Sequence, residues 1–385
     1  MIFYLTVNEY YSGIYQGQVI DVVRFWQDEL REEIRLVVFI PVTGFWKNRE
    51  QIKSKIPSAI ILPMLPKQSI GTRWKQSRFL LYFVCKLFNC KAIIARNPMA
   101  TWLAISAREK GYVSKVCFDG RGAVAAEAKE YNIYPVEVAK IMPQMEAKAI
   151  LCSDYQICIT GNLLRYWKDE YSFSGCNYYI IPGTLNFNFL NLELKDSKRE
   201  EDRKKNGYNR EDILLIYAGS TEGWQSFQLL YDFLVAQFSN NSSVKMLFLS
   251  KEEKNIGRLL NEFPQRVKRL WLAPSEVKDI MLMGDYGLIV RENSVTNNVA
   301  FPTKFPEYLA CGLSVISTRA TAEVADFIER HNCGVLIDDK SKVQLVKNLS
   351  DVAAKNRFIA LTYFNKYSTE IKSKYISLSG KLKEN

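Results

Sequence analysis

The chain has 385 residues, 48% of them hydrophobic, and a formal net charge of +11. That length suits two domains of roughly 180 residues better than one, and no uninterrupted apolar run approaches the roughly 20 residues of a membrane span. A single histidine, His331, excludes His-rich metal sites, and eight cysteines without a Cys-x-x-Cys pair read as small core residues of a protein kept in a reducing cytoplasm.

Strands and helices alternate from end to end, which predicts parallel sheets wrapped by helices. Residues 2–7 carry no basic leader and soon meet Glu9, so they are expected as a strand rather than a signal peptide. Gly13 and Gly17 then link strand to helix, at a spacing that does not fit a dinucleotide fingerprint. Further strands are expected over 36–40, 59–62, 92–95, 115–118, 155–160 and 178–181. Arg96 and Asn97 follow one of these and are acceptor-side candidates. Asp119 and Arg121 follow another, with Glu127 a few residues on. Asp119 can take a proton or hydrogen bond from a hydroxyl, and Arg121 can hold an anionic group; alternatively the two stabilise their own turn.

The charge is unevenly spread. Residues 51–108 contain no Asp or Glu but hold ten cations: Lys53, Lys55, Lys67, Arg73, Lys75, Arg78, Lys86, Lys91, Arg96 and Arg108. Within them, residues 74–88 read as a basic, aromatic, amphipathic helix. It is either a helix that lies on an anionic bilayer or an ordinary domain helix with a solvated basic edge. No nucleic-acid-binding module accompanies the charge, so no nucleic acid partner is expected.

Pro182 and Gly183 read as the exit from a first domain. Residues 186–209 are polar, and 195–205 look too hydrophilic to pack. A second strand series is expected over 213–218, 244–249, 267–272, 286–290, 314–316 and 335–336. Gly219 and Ser220 close the first of these, where a glycine lets backbone approach a diphosphate. Ser275 reads as a helix N-cap. Arg291 follows the fourth strand and leads into a polar loop with Asn297 and Asn298. Lys304 and Glu307 then share one helix face, Pro302 and Pro306 flank the helix start, and Gly312 ends it. A cation at a helix start suits a phosphate, and a carboxylate one turn on can accept hydrogen bonds from sugar hydroxyls. The competing reading is a surface ion pair on a buried helix.

The run Lys304-x-x-Glu307-Tyr308-Leu309-Ala310-x-Gly312 resembles the donor-site motif of glycosyltransferase family 4, retaining enzymes of the GT-B class. The resemblance implies an α/β fold of two Rossmann-like, doubly wound domains facing each other across a cleft. Residues 1–183 would form the acceptor side, 184–362 the nucleotide-sugar side, and 363–385 a helix returning to the first domain. It further implies metal-independent, cofactor-free transfer of a sugar from a nucleotide diphosphate to a glycan or polyprenyl-linked acceptor, with retention. Asp119, Lys304 and Glu307 are the catalytic candidates. Gly13, Gly17, Gly219, Ser220, Arg291, Asn297, Asn298 and Tyr308 complete the donor site; Arg96, Asn97, Arg121 and Glu127 belong to the acceptor side. The chain departs from the pattern in two places: Val299 stands where many members carry a first glutamate, and Ser220 with Trp224-Gln225 stands where many carry Arg and Lys. Bacterial capsule or O-antigen synthesis is the implied setting, in the cytoplasm or on the inner face of the cell membrane through residues 67–91. An epimerase of the same fold and a non-catalytic, membrane-associated nucleotide-sugar-binding protein are the alternatives.

Overall fold

A computed structural model describes residues 1–64, 73–221, 223–337 and 343–384. Lys67, Glu222 and the start of the 67–91 segment therefore lie outside the described residues. The chain divides into two compact units, one of Met1–Pro182 with Thr369–Asn385 and one of Gly183–Ser368.

The first unit holds a seven-stranded sheet: β1 (Ile2–Val7), β2 (Ile34–Pro41), β3 (Ile60–Met64), β4 (Ala92–Arg96), β5 (Lys115–Gly120), β6 (Tyr155–Cys158) and β7 (Tyr178–Ile180). Their order is β3-β2-β1-β4-β5-β6-β7, and every pairing is parallel. Helices cover both faces, so β1 is buried at every position. Side-chain alternation then divides its residues between two cores. Ile2 and Tyr4 face Val23, Trp26 and the helix Thr369–Lys383 through Ile371, Tyr375 and Leu378. Phe3, Leu5 and Val7 face Trp74, Leu81 and Leu103.

The second unit repeats the plan with β8 (Ile213–Ala218), β9 (Val244–Leu249), β10 (Val267–Leu270), β11 (Tyr286–Ile289), β12 (Ser314–Ser317) and β13 (Gly334–Leu336). The order is β10-β9-β8-β11-β12-β13, again parallel throughout. All the observed strands overlap the ranges expected from sequence. Each sheet reverses its winding at its first strand, between β1 and β4 and between β8 and β11. In such sheets the C-terminal strand ends beside that reversal form a ready-made ligand crevice.

Two expectations need correction. The stretch thought too hydrophilic to pack is the helix Asp196–Lys205. It docks through charge instead of an apolar stripe. Arg199 donates to Asp285 at 2.6 Å and Arg203 at 3.2 Å, and the fully buried Asp285 also accepts the Leu214 and Asn348 amides. Truncating either member of such a group leaves a buried charge without its partner, a loss of roughly 3–5 kcal/mol. The second concerns the last helix: expected over 363–385, it is present in the first unit but starts later, as Thr369–Lys383. Helices Ser350–Tyr363 and Thr369–Lys383 are separate, because Asn365 makes a turn: its side chain accepts the Tyr367 amide at 3.0 Å and its carbonyl the Ser368 amide at 2.9 Å.

Candidate active site

In the second unit the candidate residues gather at the reversal of the sheet. β8 runs out at Ala218 and turns at Gly219, whose φ of 141° excludes most side chains and whose missing Cβ would meet open space. The loop beyond is braced from below. The Tyr217 hydroxyl donates to the Ser220 carbonyl at 2.6 Å, and Glu253 accepts the Thr221 amide at 2.7 Å. Gly219 and Ser220 themselves are exposed. An uncovered, glycine-made turn next to a strand end is what close approach by a diphosphate requires.

The loop after β11 is stitched to this turn. Arg291 reaches Gln225 and Asn297, each at 3.4 Å. The buried Asn297 donates to the Trp224 and Glu292 carbonyls, and the Glu292 amide donates to Ser226. Thr318, beyond β12, fixes the Arg291 backbone by donating to its carbonyl at 2.6 Å. Arg291 is thus held with its guanidinium between Gln225 and Asn297, in the loops that follow β8 and β11. Asn297 is fully buried, so its role is to set this loop and not to touch a sugar; Asn298 spends its amide on Asn293 and the Ser294 carbonyl. The expectation of a sugar contact is corrected for Asn297, which the loop uses to satisfy its own backbone; Asn298 is half-buried, with its amide held inside the loop.

Helix Lys304–Ala310 brings the motif to the same place. At seven residues it is too short to offer much of a dipole, so Lys304 must act through its own charge. Its ammonium sits 2.5 Å from Glu307, with the side chains 33% and 15% exposed. Lys304 is the more exposed of the two, so its ammonium reaches solvent from a partly buried pair. Of the two readings made from the sequence, the structure shows the ion pair, and it is partly buried instead of on the open surface.

Tyr308 is placed differently from expectation. It is buried, its ring lies over Gly287, and its hydroxyl accepts the Ala218 amide at 2.9 Å. Burial raises its pKa well above the usual phenol range. Tyr308 is a strut between the motif helix and the end of β8, not a donor contact. A Cβ on residue 287 would come 2.2 Å from that ring, which is why a glycine stands there. Gly312 ends the helix as expected, at φ 82°. Ser275 does not cap its helix; Glu276 occupies that position and accepts the Ala273 amide.

In the first unit the equivalent reversal brings together Arg96, Asn97 and Glu9. Arg96 pairs with Glu9 at 3.0 Å and donates to Gln18 at 2.7 Å; Asn97 donates to Glu9 at 2.9 Å. The positive φ of Asn97, 71°, bends the chain there. Glu9 escaped the sequence reading because strand order, which puts the ends of β1 and β4 side by side, is not written locally.

Asp119 is overturned as a base facing an acceptor hydroxyl. It is fully buried, lies 2.7 Å from Arg121 Nε, and accepts from the Tyr4 hydroxyl at 2.5 Å. Burial and the neighbouring Asp119 hold Tyr4 protonated far above its ordinary range. Arg121 is pulled down by burial but raised further by Asp119, so it stays charged and committed to that pair. Together they are an internal structural group. Glu127 stands apart. Burial first, and Glu146 second, push its carboxyl up to about 7. The buried Glu146 accepts the Val124 and Ala125 amides and the Tyr171 hydroxyl, tying down the helix that carries Glu127. Gly13 is exposed at a helix start capped by Ser12. Gly17, expected in the link between strand and helix, is instead buried within the helical turn Gln16–Ile20. Among the described residues no group of three or more His, Cys, Asp or Glu could hold a metal ion.

This architecture is the GT-B glycosyltransferase fold. Similar solved structures include a glycosyltransferase from Rickettsia africae (TM-score 0.73, 12% identity, 100% of this chain and 98% of that one). HepE of Anabaena in complex with UDP is also similar (0.69, 14%, 98% and 99%). So is WaaG, a glycosyltransferase involved in lipopolysaccharide biosynthesis (0.67, 13%, 100% and 100%). At such identities the likeness speaks for the fold alone. No protein-family profile and no curated protein matches the sequence.

Proposed function

We propose that this protein is a retaining, metal-independent glycosyltransferase of the family 4 type. It takes a nucleotide-diphosphate sugar as donor and a glycan or polyprenyl-linked glycan as acceptor, in assembly of a bacterial surface polysaccharide such as capsule or O-antigen, at the cytoplasmic side of the cell membrane. One observation carries the reading: an open glycine turn, an anchored arginine and a partly exposed lysine converge on the C-terminal strand ends where the second sheet reverses. The diphosphate lies against the Gly219 turn. Arg291 and Lys304 neutralise the charge that grows on it as the sugar leaves. Glu307, released from Lys304, accepts hydrogen bonds from the ribose. With Asp119 buried, the proton of the acceptor hydroxyl goes to the departing phosphate oxygen, and Glu127 is the acceptor-side carboxyl nearest in affinity to neutral pH. Fold likeness to a protein crystallised with UDP favours a uridine donor.

Mass spectrometry of the purified protein with a panel of UDP-, GDP- and ADP-sugars, with and without a lipid-linked glycan extract, tests this. A mass increment on the acceptor together with release of the nucleoside diphosphate is expected. Sugar conversion in reactions lacking acceptor would replace the transferase with an epimerase, and absence of any nucleotide affinity would leave only a binding protein of other specificity.

A further inference from the structure

We propose that Trp46 and Arg49 form a subsite for an acidic sugar unit of the acceptor glycan, one strand out from the reversal of the first sheet. The subsite rests on the transferase reading and gives its acceptor a chemical class. β1 and β2 are parallel neighbours whose C-terminal ends lie together, with Val7 opposite Phe39. The loops that leave them are tied into one surface. The buried Asn48 accepts the Tyr11 amide at 2.8 Å and donates to the Gly44 carbonyl at 2.9 Å. Gly44, at φ 81°, makes the turn into helix Phe45–Lys53, and the Tyr10 ring lies against it, 3.6 Å from where a Cβ would stand. On that surface Tyr10, Ile14, Val42 and Trp46 are all exposed, Trp46 by 75%. An indole left so open contributes little to the fold; Phe45, edge-on to it at 5.4 Å, is the ring that packs against the core.

An exposed aromatic plane at the C-terminal edge of such a sheet is placed for a ligand. A pyranose fits it: the ring has an apolar C–H face to lay on an indole and a rim of hydroxyls for the polar groups around it. Charge selects the kind of sugar. Arg49 shares the helix face of Trp46, and its guanidinium lies 5.8 Å from the centre of that ring. Lys47 is exposed beside it. Among the described residues neither cation forms an ion pair, and the helix carries one carboxylate, Glu50, against Lys47, Arg49 and Lys53. Crowding agrees: burial, then Arg49 and Arg35, lower the pKa of Lys53. A guanidinium poised on an aromatic plane and not spent on a carboxylate offers its fork to the carboxylate or phosphate of an acidic sugar.

Binding of the full chain to an immobilised panel of oligosaccharides carrying uronic, sialic or phosphorylated sugars, with neutral oligosaccharides of the same length alongside, tests it without turnover. Preferential binding to acidic members is expected, weakening as salt rises. Trp46→Ala should weaken it by roughly tenfold or more, as for a truncated aromatic anchor. Arg49→Gln should weaken it by roughly fivefold, for one lost charge-assisted contact, and shrink the preference for acidic over neutral members. Both variants should keep the parent's melting temperature and UDP affinity. No binding to any member, equal binding to acidic and neutral members, binding indifferent to Trp46→Ala, or a Trp46-dependent attachment to lipid vesicles in place of glycans would each overturn the proposal. UDP titrated into the same samples separates the two failures: UDP bound without any glycan sinks the subsite alone, and no UDP affinity sinks the transferase reading.

Discussion

Replacing Tyr308→Phe isolates what holds the motif helix in place. The Gly219 amide donates to Leu249 of β9, so the preceding amide, Ala218, points to the other side of β8. There β11 pairs only with Leu215 and Ile216, and the Tyr308 hydroxyl at 2.9 Å takes the place of a strand partner. Phenylalanine keeps the ring over Gly287 but strands a buried N–H, which costs about 1–3 kcal/mol. In a unit of this size each kcal/mol corresponds to roughly 2–4 °C in melting temperature, so a drop of about 2–12 °C is expected. Because the lost bond also fixes the Gly219 turn relative to Lys304 and Glu307, UDP affinity should fall by about threefold to tenfold. Differential scanning calorimetry and titration calorimetry on the same samples read both quantities. A Tyr308→Phe variant matching the parent within about 0.5 kcal/mol in stability and equal to it in UDP affinity would refute the strut.

Other perturbations follow from the same geometry. Gly287→Ala should destabilise by about 1–3 kcal/mol, because its Cβ drives into the Tyr308 ring; denaturant melts read it. Lys304→Met should weaken UDP binding by roughly tenfold to a hundredfold, as expected for loss of one charge-assisted bond. The melting temperature should fall by a few degrees, since the partly buried Glu307 loses its ion-pair partner. Asp119→Asn should leave Arg121 buried beside a neutral partner and cost about 3–5 kcal/mol. A variant that folds normally but is inactive would instead restore Asp119 as a base. The carboxyl of Glu127 binds its proton more tightly folded, near 7, than unfolded, near 4.5. Its contribution therefore opposes folding progressively as pH rises through that window, by at most about 3 kcal/mol. Glu127→Gln should match the parent near pH 5 and exceed it in stability at pH 8, read as melting temperature against pH.

The fold was legible because its strands are fully covered on both faces. Apolar runs such as those at β1 and β8 stand out between polar loops, and their alternation with helices admits few topologies. The places of Gly219, Arg291, Lys304 and Glu307 in the fold were legible as well, since each sits at a strand end or in a motif readable within a few residues; their roles at a donor belong to the proposed function. What the local sequence hid were pairings across the sheet. The Asp119–Arg121–Tyr4 group joins β1 to β5, the Glu9–Arg96 pair joins β1 to β4, and Asp285 anchors a helix some eighty residues earlier. Asp119, which looked like solvent-facing chemistry, and Asp285 are buried tethers, and composition alone does not tell the two kinds apart. The Asn297 and Tyr308 side chains were misread for the same reason: their partners are backbone groups of other segments, the Trp224 and Glu292 carbonyls and the Ala218 amide.

A crystal of the protein soaked with UDP measures the central claim most directly. The account predicts the pyrophosphate against the Gly219 turn, with Lys304 Nζ and the Arg291 guanidinium within about 3 Å of its oxygens and the Lys304–Glu307 pair opened. Nucleotide bound elsewhere, with that pair still closed, would contradict it.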